Sequence, residues 1–212
     1  MEKKTALVTG ATSGLGWAIA RSLSKDGMKL ILVDRDNAVE QRAVELRRDG
    51  VETDVIVVDL ADTDATQHVA AKLAQKKACD VLVNNAGTHI KTAEGEPFPL
   101  SEVTLEHWNF SIALHMTAPL LLSQAVLPGM VERKWGRIIN IASRAARTHV
   151  DQASAFYAAS KAGLISLTRT IAGEYGRFGI TSNAVAPGRF RTPLTDISSD
   201  GIKAYSVGEV RV

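Results

Sequence analysis

One cysteine, Cys79, stands in 212 residues. That excludes an internal disulfide, and its place beside an apolar run reads as a small buried side chain rather than a nucleophile. An excess of either charge is missing as well. Lys and Arg number 25 against 23 Asp and Glu, for a formal net charge of +2, and the signs are interspersed, so there is no basic stripe to hold a polynucleotide. No apolar run reaches the length needed to cross a bilayer, and the opening MEKKTALV lacks the long apolar segment and cleavage site of a signal peptide. The expectation is a soluble, cytoplasmic protein with no membrane or nucleic-acid partner and no metal. Repeats and low-complexity tracts are absent too. With 45% hydrophobic and 23% charged residues, residues 1–212 suffice for one sizeable core and do not demand a second domain.

What is present is alternation. Short runs rich in Val, Ile and Leu occur at TALVT (5–9), KLILV (29–33), DVIVV (54–58), DVLVN (80–84), RIINIA (137–142) and ITSNAVA (180–186). Each reads as a buried strand. Longer amphipathic segments lie between them, such as GLGWAIARSLSKDG, where Trp17, Ala20 and Leu23 share a helical face. Strand followed by helix, repeated, predicts parallel pairing with crossover helices, because a parallel connection needs a dozen or more residues. The expected fold class is α/β, a doubly wound parallel sheet.

The first strand runs into TGATSGLG (9–16), with Gly10, Gly14 and Gly16 in eight residues. Glycine packs little surface and loses much entropy on folding, so a cluster of it marks a tight turn or a close approach. In an open α/β sheet this turn faces the ligand crevice, and the helix that follows presents unpaired N–H groups to a pyrophosphate. The spacing is Gly-x3-Gly-x-Gly, which differs from the general dinucleotide fingerprint G-x-G-x-x-G.

Further motifs follow in order: NNAG at 84–87, Ser143, YAASK at 157–161 and PG at 187–188. With TGATSGLG they resemble, in order and spacing, the classical short-chain dehydrogenase/reductase family, from residue 5 to about 192. The resemblance implies a Rossmann-type three-layer sandwich, a nicotinamide cofactor, and reversible hydride transfer between a secondary alcohol and a ketone.

The residues argue the chemistry independently. Tyr157 and Lys161 stand at i and i+4 of a helical segment and project from one face. A phenol near pKa 10 is a poor base at neutral pH, yet a nearby ammonium and an oxidised nicotinamide ring both favour the phenolate. Ser143 ends the strand RIINIAS at the carboxyl edge, where its hydroxyl can bond the oxygen that gains or loses the proton. Ser143 orients, Tyr157 transfers the proton, and Lys161 tunes Tyr157 and, by resemblance, holds the nicotinamide ribose.

Asp34 follows the second strand, 18 residues beyond Gly16. A carboxylate there accepts hydrogen bonds from a ribose 2′-hydroxyl and repels a 2′-phosphate, which favours NAD over NADP. Arg35 beside it can pair with a phosphate, but Ser13 occupies the position where phosphate-binding relatives often carry a basic residue. By resemblance, Gly10, Thr12, Ser13, Gly14, Leu15 and Gly16 line the phosphates, Asp59 and Leu60 flank the adenine, and Asn85, Ala86 and Gly87 support the cofactor. Pro187 and Gly188 also bind it, and Thr192 reaches its carboxamide side.

Two departures from the family pattern stand out. Family members carry, in the helix after NNAG, an asparagine that steadies a kink and a proton-relay water; WNFSIALHMTAP places His115 there. An imidazole can replace the amide in a water chain, or can simply be satisfied within helix packing. After PGRFRTPLTD, family members continue through a substrate lid, whereas SSDGIKAYSVGEVRV resembles the family's final strand region. A stretch between about Leu194 and Ser198 therefore reads as shortened or missing. The remaining pocket offers Arg144, Arg147, His149 and Gln152 before Tyr157, and His89 and Lys91 after NNAG. These polar groups suit a hydroxy acid, a polyol or a sugar, and a 3-oxoacyl thioester stays open. A non-catalytic NAD-binding homologue would be expected to lose Ser143, Tyr157 or Lys161, and all three are present. By resemblance and by the apolar circumference of the two long helices, a homodimer or homotetramer is expected.

Overall fold

The computed structural model describes residues 3–188. Six parallel strands form one sheet in the order β3-β2-β1-β4-β5-β6. They are β1 (Thr5–Thr9), β2 (Lys29–Asp34), β3 (Thr53–Val57), β4 (Val81–Asn84), β5 (Gly136–Ile141) and β6 (Ile180–Val185). Each lies within one residue of its sequence expectation at either end. The order turns back between β1 and β4, so their carboxyl ends flank the topological switch point where ligands of such sheets bind. The register brings Thr9 beside Val33, and Asn84 opposite Asn140. The functional ends of β1, β2, β4 and β5 therefore share one edge.

Side chains alternate across the sheet because successive Cβ atoms point to opposite faces. Leu7, Ile31, Val33, Leu82 and Ile138 enter one core, with Leu73 of α3 (Thr63–Lys76), Leu122, Val126 and Met130 of α5 (Ala118–Arg133), and Ile171 of α6 (Ala155–Tyr175). Ala6, Val8, Leu30, Leu32, Val81 and Val83 enter the other, against Ala20 of α1 (Gly14–Lys25) and Val39, Ala43 and Leu46 of α2 (Val39–Arg48). Full burial of each Leu or Val contributes roughly 1.5–3 kcal/mol, so the central strands anchor both layers. The outer strands differ from the expectation of full burial. Val57 of β3 and Val185 of β6 are 43% and 47% exposed, because β3 and β6 are the two edges of the sheet. Cys79 is buried, and desolvation pushes its thiol up to about 12, which leaves it unreactive.

The run after β4 is one long helical stretch in three parts: α4 (Leu105–Ile112), a single π turn (Ala113–Thr117), and α5. Within Leu105–Arg133, 29 residues long, an 18-residue stretch reaches a mean hydropathy of 1.5, enough by length and composition to cross a membrane. That corrects the sequence expectation that no run is so long. The physical reason is tertiary: the apolar side chains of α5 enter the core described above, which demands a helix apolar over much of its circumference.

Candidate active site

The glycine turn is built by the chain for its own packing as well as for a ligand. Gly10 adopts φ +66°, a left-handed conformation that side chains disfavour. At Gly16 a Cβ would lie 2.0 Å from the Gly10 carbonyl oxygen and 2.5 Å from Asn85 Nδ2. The turn is thus pressed directly onto the segment after β4. Asn85 Nδ2 donates to the carbonyls of Thr9 and Gly10 at 2.9 and 3.2 Å, while the backbone N–H groups of Asn85 and Ala86 both donate to Thr9 Oγ1 at 2.9 Å. Thr9 was not among the residues expected at the site. Its hydroxyl joins the two halves of the switch point, and its place as the last residue of β1, just before the glycines, was the available signal.

A crevice of about 450 Å³ runs along the carboxyl edge from Asp34 to Tyr157. Gly10 and Thr12 to Gly16 form its floor at the start of α1. Asp34 and Arg35 lie at the end of β2, Asp59 and Leu60 beyond β3, Asn85 to Gly87 beyond β4, Ser143 beyond β5, Tyr157 and Lys161 on α6, and Pro187 and Gly188 beyond β6. Thr192 and the stretch from about Leu194 onward lie outside the described residues. Ile141, Ala142, Thr88 and Leu114 also line the wall; as ordinary apolar or small side chains they carry no sequence signal.

Two observations test whether this crevice fits a dinucleotide. Thr12 Oγ1 is buried in its wall without a hydrogen-bond partner among the described residues, an arrangement that calls for a ligand atom. Asp34 accepts from the N–H of Thr12 at 2.9 Å and from the N–H of Asp36 at 3.1 Å. Its carboxylate is thereby fixed at the far end of the crevice with lone pairs left for ribose hydroxyls. The residues present fit the group.

The end formed by β5 and α6 is densely packed. Lys161 is 3% exposed, and its Nζ donates to the Ile141 carbonyl at 2.8 Å and lies 6.0 Å from the centre of the Tyr157 ring. Burial lowers the Lys161 ammonium to about 8, so it still carries its charge at neutral pH. Burial raises the Tyr157 phenol above its ordinary value, opposed by a hydrogen bond from the Ser143 hydroxyl. The net direction is opposite to the lowering expected from the lysine alone, because desolvation of the phenolate outweighs its neighbours.

His115, at the centre of the π turn, is fully buried and sits behind the crevice wall. Its Nε2 accepts from the N–H of Thr88 at 3.2 Å. Its Nδ1 is 2.9 Å from Ser160 Oγ, which itself donates to the Tyr157 carbonyl at 2.9 Å. The proton is therefore on Nδ1, and both ring nitrogens are engaged. Burial and the Lys161 charge lower the imidazole to about 2. A Cβ on Gly87 would stand 3.1 Å from both His115 Nε2 and Lys161 Nζ, so the last residue of NNAG is small because these two side chains meet there. A further thread runs behind the site: Asn84 Nδ2 donates to Asn140 Oδ1 at 2.8 Å, and Asn140 Nδ2 to Thr168 Oγ1 at 2.9 Å. Sequence reading passed over Asn140 and Thr168. A buried asparagine inside an apolar strand was the signal.

The profile of the short chain dehydrogenase family matches residues 4–202. The chain belongs to that family. This short chain dehydrogenase is 36% identical over 200 residues to D-beta-hydroxybutyrate dehydrogenase of Rhizobium meliloti (strain 1021), covering 91% of this chain and 74% of that one. Among solved structures, a 3-oxoacyl-[acyl-carrier protein] reductase with bound NAD from Brucella melitensis superposes with TM-score 0.83 at 31% identity, over 91% of this chain and 73% of that one. L-sorbose reductase of Gluconobacter frateurii, complexed with NADPH and L-sorbose, gives TM-score 0.82 at 32% identity, over 91% and 72%. The chain is accordingly a nicotinamide-dependent oxidoreductase.

Proposed function

We propose that this enzyme is an NAD-linked secondary alcohol dehydrogenase or ketone reductase in which Ser143, Tyr157 and Lys161 form the catalytic set. The observation that carries the reading is the meeting of these three side chains with the glycine turn and Asp34 on a single crevice. A bound nicotinamide would supply or accept the hydride. In the reducing direction Tyr157, held protonated by burial, gives its phenolic proton to the ketone oxygen, and Ser143 hydrogen-bonds that same oxygen. The buried Lys161 ammonium stabilises the phenolate that remains. In the oxidising direction the same groups run in reverse. His115, neutral and bonded at both nitrogens, belongs to the support of Tyr157 rather than to a proton relay.

Asp34 supports NAD, since no ligand 2′-phosphate would be welcome beside a carboxylate fixed by two N–H groups. The polar loop Arg144 to Gln152 supports a hydroxy acid, polyol or sugar, in line with the L-sorbose bound by its structural relative. Reduction of a 3-oxoacyl thioester is the second reading, favoured by likeness to the Brucella reductase. Residues 1–212 are read as one cytoplasmic catalytic domain. Leu105 and Trp108 of α4 and Leu120 of α5 are 78%, 40% and 39% exposed; such apolar side chains along one long helical run support burial against a second copy, in a twofold dimer or tetramer.

The test is a panel of secondary alcohols, ketones and 3-oxoacyl thioesters with each nicotinamide, followed by absorbance of the reduced cofactor. Turnover is expected with an oxygenated small substrate, and NADH is expected to bind roughly 30-fold tighter than NADPH, the equivalent of one charge-assisted hydrogen bond. Equal or tighter binding of NADPH overturns the cofactor assignment. Absence of turnover across the panel overturns the enzymatic one.

A further inference from the structure

The segment between β4 and α4 passes over the start of α6 and is tied to it at one residue. Ser154 occupies the N-cap position of α6, where a serine oxygen ordinarily accepts an N–H of the helix's first turn. Here it makes no such bond. Ser154 is 1% exposed, and its Oγ accepts instead from the N–H of Phe98 at 2.8 Å and lies 3.1 Å from His89 Nε2. The N–H of Ser154 also donates to His89 Nε2, at 3.1 Å. A backbone N–H only donates, so Nε2 is the unprotonated nitrogen of His89.

The same imidazole lies against the catalytic phenol. Ring centroids of His89 and Tyr157 are 4.8 Å apart with 30° between planes, while His115 meets Tyr157 edge-on at 5.4 Å and 90°. Phe98, held through its N–H, packs on His107 at 4.3 Å and on Phe156 at 6.4 Å. The phenol is therefore bounded by two imidazoles from separate parts of the chain, and the one at residue 89 is pinned to the residue that begins the phenol's own helix. A cap serine diverted from its helix to a loop gives up its contribution to helix stability; in exchange Ser154 holds Phe98 and the imidazole that lies against Tyr157.

We propose that His89 and Ser154 form a clamp that holds the 88–98 segment on the first turn of α6 and fixes the Tyr157 phenol for proton transfer. Both are positioning residues, and the proposal rests on the reading of Tyr157 as the proton carrier. The clamp works only with all its bonds made: Ser154→Ala leaves His89 only the bond from the Ser154 N–H, and loss of the imidazole leaves Ser154 Oγ only the bond from Phe98.

The test uses His89→Leu, Ser154→Ala and the double variant of the full chain, with His89→Gln as the conservative variant, since its Oε1 can accept where Nε2 does. Each disruptive single variant is expected to lower kcat about tenfold or more, as expected for a misaligned proton donor. The double variant should be no worse than the poorer single one, the Kd for NADH should hold, and His89→Gln should stay within about threefold of wild type. Ser154→Ala with a lowered Tm but unchanged kcat and KM would show a purely structural role and overturn the clamp, as would multiplicative losses in the double variant. An independent readout is the ultraviolet titration of Tyr157, taken as the difference from Tyr157→Phe. Its ionisation should move towards the ordinary tyrosine range in Ser154→Ala and His89→Leu; an unmoved titration refutes the clamp whether or not a substrate has been found. Absence of turnover by the wild type, with the titration shifted in the variants, would instead count against the proposed reaction alone.

Discussion

The two ends of the crevice solve different physical problems. At the β1–β2 end the work is done by backbone: a turn held by Gly10 and Gly16, N–H groups at the start of α1, and one carboxylate anchored by two N–H groups. At the β5–α6 end it is done by side chains taken out of water, namely Lys161, Tyr157 and His115, whose proton affinities all move because they are buried. The first end binds through shape, which tolerates no added atom. The second acts through desolvation, which costs stability to maintain.

The sharpest way to break the first end is Gly16→Ala. The new methyl would meet the Gly10 carbonyl at 2.0 Å, a collision with backbone that only reopening of the turn relieves. Stability should fall by about 3 kcal/mol or more, and the variant should lose cofactor binding; denaturant midpoints and NADH titration measure both. At the second end Tyr157→Phe keeps the ring and removes the proton. Turnover should drop at least ~10²-fold with NADH affinity retained, and retention of most activity would reject the mechanism.

Lys161→Met inverts the usual expectation and so sharpens the contrast. A buried ammonium lowered to about 8 from an ordinary value near 10.5 is carried at a cost, offset in part by its bond to the Ile141 carbonyl. Its replacement should abolish activity while raising stability at pH 7 by on the order of 1–2 kcal/mol, seen as a higher urea midpoint. The remaining contrast concerns acid. His89 is lowered to about 4 and His115 to about 2, so below pH 6.5 the unfolded chain binds protons that the folded one refuses. Their contribution to stability is complete above pH 6.5 and is lost progressively as pH falls towards 4 and beyond. Urea midpoints that stay flat from pH 7 to pH 4.5 would contradict this.

Much of the first end was legible because its signals are local. The strands TALVT and KLILV, the glycine spacing and Asp34 mean the same thing in sequence as in space, since a parallel sheet places the end of one strand beside the start of the next helix. Ser143, Tyr157 and Lys161 were legible by resemblance and by their i, i+4 spacing. The roles of Ser154, His89, Asn140 and Thr9 were not. Each is a polar residue whose partner lies between 28 and 77 positions away, and no local pattern announces such a partner.

By itself, then, the sequence determined the layer architecture, the order of the motifs and the candidate catalytic side chains, because periodicity, glycine and spacing act over short stretches of chain. Only the tertiary structure decided what burial does to those groups. It raised the phenol that the neighbouring lysine was expected to lower, engaged both nitrogens of His115, and turned a cap serine towards a loop. The physical reason is the same in each case: desolvation and long-range hydrogen bonds depend on which surfaces meet, and that is a property of the packed chain rather than of any segment of it.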